Sequence, residues 1–260
     1  MCSNHRGQIG LVALVFAIVA NGSASASACN NATLNGVYGF LVQGNDGTGF
    51  PSAAIDQFTA DGAGNITSGT EFNSSSGTVQ TVLFTGTYTI AKNCTGTLTL
   101  TKSPDTKDGS LDLDIVLDDS KKGFQLIRTD AGHQRIGFGL SQGIASCSQT
   151  GSAGVYALNL SGVYLNESNP AVSIVGQSKV SSNGNLSGTI TSYFNDLPTD
   201  PSGKFSGTYS VGADCLGSSV ITNGGVNYTF DTIVVGRGSE LLILETDESP
   251  PKVVWGTEQK

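Results

Sequence analysis

"FTGTYTIAKNCTGTLTL" (Phe84 to Leu100) holds two β-strands and the turn between them. Phe84, Gly86, Tyr88 and Ile90 alternate with Thr85, Thr87 and Thr89. Beyond the turn that carries Cys94, Leu98 and Leu100 alternate with Thr97, Thr99 and Thr101. An apolar face and a hydroxylated face at period two describe an antiparallel sheet with one side wet. The pattern runs on: Leu111, Leu113, Ile115 and Leu117 alternate with Asp112, Asp114, Val116 and Asp118. It predicts eight strands over residues 36–43, 53–60, 65–72, 82–91, 95–102, 110–118, 122–129 and 134–140, with no helical periodicity in any segment.

The same stretch returns as "FSGTYSVGADC" (Phe205 to Cys215), 121 residues on. "CNNATLNGVY" (Cys29 to Tyr38) returns as "CSQTGSAGVY" (Cys147 to Tyr156), and Thr129 to Gly139 aligns with Thr246 to Gly256, Phe138 then matching Trp255. A chain that repeats itself over about 110 residues is a duplication. Residues 29–143 and 144–260 are therefore expected to be two β domains. Four cysteines remain once residues 1–28 are set aside, two at equivalent places in each copy. The pairing expected is Cys29–Cys94 and Cys147–Cys215, each closing a long loop and stabilising its unit by roughly 4 kcal/mol.

"FTADGAGNITSGT" (Phe58 to Thr70) joins the second and third strands. Gly62 and Gly64 supply positive φ, while Asp61 and Asn65 bond their own backbone, as hairpin turns require. A calcium loop needs six or more oxygens at fixed spacing. The copy, "VSSNGNLSGT" (Val180 to Thr189), is shorter at the turn and keeps only Asn183, Gly184 and Asn185. The segment reads as a turn.

Connections 44–52, 73–81 and 103–109 are long and alternate with short ones, so a meander gathers the long loops at one end. Cys29 and Cys94 then share the tight end, in keeping with their pairing. The fold expected is all-β: two tandem antiparallel meander units of about eight strands, each closing into a small up-and-down barrel. Two β-sandwiches are the alternative. The combination "LNGVYGF", "FTADGAGNITSGT", "FTGTYTIAKNCTGTLTL" resembles the Gly/Thr-rich repeats of exported proteins of soil bacteria, over most of the first copy and more loosely the second. That resemblance implies no activity or ligand. The expected form is also similar to small lipocalin-like barrels, without any lipocalin sequence motif.

Residues 1–28 read as an export signal: "IGLVALVFAIVA" (Ile9 to Ala20) is too short to span a bilayer, and small residues follow it. Cleavage after Ala26 or Ala28 would deliver a secreted, periplasmic or cell-surface protein. Lipidation at Cys29 is disfavoured by Ala26 where a Leu is usual. No later segment is long and apolar enough for a transmembrane helix. The signal carries Arg6 and no acid, leaving 12 basic and 21 acidic residues and a net charge of about −9. Such a chain repels nucleic acid.

Catalytic signals are weak. Outside the signal the one histidine is His133, in a turn and matched by Pro250. Zinc needs three or four ligands, and neither a G-x-S-x-G elbow nor a strand–GxGxxG–helix unit occurs. Asp112, Asp114 and Asp118 fall on the wet face. No catalytic residue, metal or cofactor is assigned. Two charges sit in phase with apolar neighbours: Asp56 with Phe58, and Arg128 with Phe124 and Leu126. They are expected wet at the barrel rims, the other reading being polar fixtures inside a pocket. Their counterparts in the second copy are taken as Ser178 and Glu245. Tyr38, Phe40, Phe84, Tyr88, Phe138, Tyr156, Tyr209, Phe230 and Trp255 read as core. Phe50, Tyr164, Tyr193 and Phe194 lie in or beside long loops, where they could line a mouth or stack on a sugar.

The candidate ligand residues are thus Asp56, Arg128, Phe50, Tyr164, Tyr193 and Phe194. The functional reading is an exported, non-catalytic protein that binds a small molecule or glycan at one end of disulfide-pinned β domains. The alternatives are a structural or cell-surface interaction module without a cavity, and a barrel enzyme of isomerase or cyclase type using Asp56 or Arg128.

Overall fold

A computed structural model of the chain describes residues 28–102, 110–165, 170–194 and 197–260. Residues 1–27 of the expected 1–28 export signal, and one predicted loop, 103–109, lie outside the described residues. Eight strands form the first barrel: β1 (Asn35–Asn45), β2 (Pro51–Asp61), β3 (Asn65–Ser75), β4 (Thr78–Ile90), β5 (Thr95–Lys102), β6 (Ser110–Leu117), β7 (Gly123–Arg128) and β8 (Gln134–Ser141). Eight more form the second: β9 (Gly154–Tyr164), β10 (Ala171–Val180), β11 (Asn185–Phe194), β12 (Leu197–Val211), β13 (Leu216–Asn223), β14 (Val226–Val235), β15 (Glu240–Glu245) and β16 (Lys252–Gln259). Each strand pairs antiparallel with its sequence neighbours, and β8 closes on β1 as β16 closes on β9. Both sheets are closed, which rules out the sandwich alternative and leaves no edge strand to protect.

Cys29–Cys94 and Cys147–Cys215 are both formed. Each ties the segment entering its barrel to the turn before the fifth strand, where Cys94 and Cys215 take positive φ. The Cys29 sulfur is in a disulfide, which removes it as a lipid attachment point. Two disulfides fit an oxidising, extracytoplasmic setting. No helix among the described residues is long and apolar enough to cross a membrane.

Three details depart from the sequence-based expectation. Connection 73–81 is no long loop: β3 and β4 run on to a tight turn at Ser76 and Gly77, both at positive φ. Strand pairing continues here past the apolar core, where hydroxyl residues replace the alternation that marks a strand in sequence. The hairpin at Asp61 is a turn, its Oδ1 accepting from the backbone N–H groups of Ala63, Gly64 and Asn65. The extra length of the first copy lies in a β-bulge after Ile66, because Gly69 and Gly188 are the residues that face Phe84 and Phe205. Finally, Ser178 pairs with Tyr156 as Phe58 pairs with Tyr38, so the counterpart of Asp56 is Gly176 and not Ser178. Trp255 likewise answers Ile136, two residues from Phe138. Each slip is by two residues and so keeps every side chain on its face.

The two interiors are packed differently. In the first barrel Tyr38, Phe40, Phe58 and Phe124 meet with ring centroids 5.6–6.4 Å apart, and Gly139 is the position that makes room for the Phe124 ring. At the same four strand positions that hold Phe40, Phe58, Phe124 and Gly139, the second barrel has Leu158, Ser178, Leu241 and Glu258. Three aromatic rings are lost and one carboxylate is gained. The second barrel therefore has space inside.

The outer faces of the two barrels pack on each other. Leu41, Ala53 and Ile55 of the first lie against Ile233, Val235, Leu242, Leu244 and Val253 of the second, flanked by Phe72, Phe138 and Trp255. A Cβ on Gly39 would stand 2.6 Å from Val235 Cγ1, so a glycine is needed there for the close approach. Gln57 Nε2 donates to Asp214 O at 2.7 Å, and the Val79 N–H donates to Glu248 Oε1 at 3.0 Å, both across the same seam.

Candidate functional site

The space in the second barrel opens at the end opposite the disulfide. It is a cavity of about 290 Å³ lined by Leu158, Leu160, Val172, Ile174, Ile190, Ile221, Phe230 and Val254, with Tyr164, Tyr193, Phe194 and Tyr228 nearer the rim. Period two explains the lining: Leu158 and Leu160 on β9, Val172 and Ile174 on β10, Ile221 on β13 and Phe230 on β14 are inward positions of successive strands. Tyr164 and Phe194 meet edge to face, with centroids 5.3 Å apart, while Tyr193 is 47% exposed. Three of the aromatic residues singled out from sequence are thus brought together at one mouth. Phe50 is not among them; it is 51% exposed in the 46–50 connection of the other barrel.

The polar groups at the cavity are few. Lys252 Nζ lies 3.1 Å from Glu245 Oε1, both side chains being almost wholly buried, and it stands 5.8 Å from the ring centroids of Tyr164 and Tyr228. Ser192 and Asn223 complete the lining. Burial pushes the Glu245 carboxyl up to about 7 against the pull of Lys252, and lifts the Tyr164 hydroxyl to about 12. Deeper in the barrel Glu258 adjoins two voids of about 30 Å³ each, and burial raises it to about 7 as well.

These raised carboxyls predict a pH dependence. With folded values moved from 4.5 to about 7, the folded protein binds more protons than the unfolded chain between those values. Their contribution is best below 4.5 and is lost as pH rises through 7. Glu258→Gln removes the cost of burying the charge, so urea unfolding at pH 8 should show a gain of about 2–3 kcal/mol. At pH 4.5 the gain should vanish. An equal effect at both pH values would mean that Glu258 is not held neutral by burial.

Asp56 and Arg128 belong to the first barrel and are not at a rim. Asp56 is 0% and Arg128 6% exposed. The correction follows from how far the strands run: β1 to β4 continue beyond the level of Asp56, so the position that looked terminal in sequence is covered. Both face inward with Glu71, Asn73, Lys102 and Arg135, all buried. Asp56 lies directly opposite Glu71 across the β2–β3 pair; Lys102 Nζ donates to Glu71 Oε1 at 2.9 Å, and Arg128 Nε pairs with Asp130 Oδ2. Sequence reading missed Glu71 and Asn73 because the bulge after Ile66 reverses the alternation of β3. Lys102 follows Leu98 and Leu100 in strict phase, so the signal that found Asp56 was present for it too. Arg135 is in phase only with glycines, which carry no signal.

No protein-family model matches the chain, and no curated protein matches it. Among solved structures it is similar to the crystal structure of the isotype 1 transferrin binding protein B (TbpB) from serogroup B Neisseria meningitidis, at 8% identity and a TM-score of 0.36 over 86% of this chain and 75% of that one. A likeness at that level says nothing of what this chain binds.

Proposed function

We propose that the chain is a binding protein whose second barrel takes up one neutral, largely apolar small molecule. The observation that carries this reading is the 290 Å³ cavity, open at its mouth and walled by aliphatic and aromatic side chains. It sits at the lower end of the size range of small-ligand sites. Among the described residues the ion pair at the cavity is Glu245–Lys252, whose charges face each other, so the described lining calls for no charged ligand. A bound ring system would meet Tyr164, Phe194 and Tyr228 near the entrance, with the Asn223 side chain beside it. A glycan fits less well: sugar rings could stack on Tyr193, but the wall beneath is apolar.

N-phenyl-1-naphthylamine, a neutral apolar fluorophore, tests this directly. Titrated into the full chain it should brighten and saturate at one equivalent. Ile190→Trp, which fills the cavity from β11, should weaken that binding by about tenfold or more while leaving the circular dichroism of the barrels unchanged. Failure of the unmodified protein to bind this or any apolar probe would favour the structural-module reading.

A further inference from the structure

Some of the strand positions that wall the cavity of the second barrel are polar in the first. Pairing register equates Ile190 with Glu71, Ser192 with Asn73, Asn223 with Lys102, Glu245 with Arg128 and Val254 with Arg135. Part of this polar set satisfies itself. Glu71 Oε1 accepts from Lys102 Nζ at 2.9 Å and from Asn73 Nδ2 at 2.8 Å, and Arg128 holds Asp130. The rest does not. Both oxygens of Asp56, Oδ1 of Asn73, Nε of Arg135 and Oγ of Ser52 have no hydrogen-bond partner among the described residues. Their residues are 0%, 7%, 4% and 0% exposed.

Buried polar groups without partners are rare because each costs the full desolvation of the group. Five such atoms on β8, β2 and β3, with β1 alone between β8 and β2, make a site, not a scatter. Gly44 of β1 pairs with Arg135 on one side and Ser52 on the other, so no side chain stands between those two. The unused groups include a guanidinium donor, an amide acceptor and a hydroxyl that can act as either. Asp56 adds two acceptor oxygens, and burial first and the adjacent Glu71 second push its carboxyl well above the ordinary range, toward the protonated form that also donates. Lys102, Arg128 and Arg135 face Glu71 and Asp130, and Asp46 and Asp56 also act on Arg135.

We propose that the buried polar set at the long-loop end of the first barrel binds a small hydroxylated monocarboxylate, an α-hydroxy acid or sugar acid, with its carboxylate on Arg135 and its hydroxyls on Asn73, Asp56 and Ser52. The ligand's carboxylate meets the unused donor of Arg135, and its hydroxyls use the leftover acceptors. This site is chemically the opposite of the apolar cavity in the second barrel and does not depend on it.

Isothermal titration of the full chain with lactate, glycerate and gluconate tests the assignment, with acetate and glycerol as probes that each lack one half of the required chemistry. At least one hydroxy acid should bind at one equivalent, and acetate and glycerol should bind about tenfold more weakly or not at all. Arg135→Gln and Asp56→Leu should each weaken that hydroxy acid about tenfold, whereas Asp56→Asn, which still offers a donor and an acceptor, should stay within about threefold. Ile190→Trp in the other barrel should have no effect. Absence of heat from all three hydroxy acids would mean that water fills the set and would overturn the proposal. So would unchanged affinity in whichever of Arg135→Gln and Asp56→Leu keeps the native near-ultraviolet spectrum.

Discussion

Replacing Cys147 and Cys215 together by Ser will cost the second barrel roughly 4 kcal/mol, the larger part of the stability of an ordinary domain. The bond closes a loop between residues 68 apart in sequence, and its loss frees the unfolded chain far more than it changes any folded contact. Cys29 and Cys94, 65 apart, predict the same cost in the first barrel. The consequences should differ because the reserves differ. The first barrel is filled by the Tyr38, Phe40, Phe58 and Phe124 cluster, whereas the second carries an open cavity and a buried Glu258. Loss of the second bond should leave that barrel largely unfolded at 37 °C with the first still folded. Trp255, the only tryptophan of the chain, lies on β16 and reports on the second barrel in urea titrations read by its fluorescence. A shift equivalent to less than about 1 kcal/mol would show that the disulfide does little there.

The second large effect concerns the seam between the barrels. Ile233 is 0% exposed and packs among Leu41, Ala53 and Ile55 across the interface, with a γ-methyl 3.0 Å from where a Cβ on Gly39 would stand. Ile233→Asp places a carboxylate in that apolar layer with no cation beside it among the cluster residues. An unpaired buried charge of this kind costs several kcal/mol, about 4 or more. Separation of the barrels relieves the cost by letting water reach the carboxylate. The expected result is that the unfolding transitions of the two barrels move apart, with the barrel disulfides intact. Ile233→Ala, which removes only packing, should cost about 2–4 kcal/mol without moving them as far apart. Unchanged midpoints in Ile233→Asp would show that the seam contributes nothing to the coupling.

Closed barrels were legible because their strands alternate, and alternation survives wherever one face is wet. The duplication made the disulfide pairing legible as well, since each cysteine has a twin. The candidate site was half legible. Tyr164, Tyr193 and Phe194 could be marked as aromatics near connections. The cavity they guard arises from what is absent farther down, where Leu158, Ser178 and Leu241 replace aromatic rings. Only the true strand register reveals those exchanges; aligning Asp56 with Ser178 conceals them. One inserted residue at the β3 bulge turned Glu71 and Asn73 inward and Phe72 outward, and period-two reading carries straight across such a residue with the wrong face.

The seam shows the same division. Runs such as Phe40–Val42, Ala53–Ile55, Ile233–Val235 and Leu241–Leu244 are apolar on both faces, a pattern that signals burial on both sides without naming the partner surface. By itself the sequence determined the strands, the duplication and the disulfides, because local periodicity and matched cysteines are properties of neighbouring residues along the chain. The tertiary structure alone decided which barrel is hollow, which charges meet inside the other, and how the two are joined. Those outcomes depend on volumes and charges summed around a closed ring of strands, and residues far apart in the chain contribute to each sum.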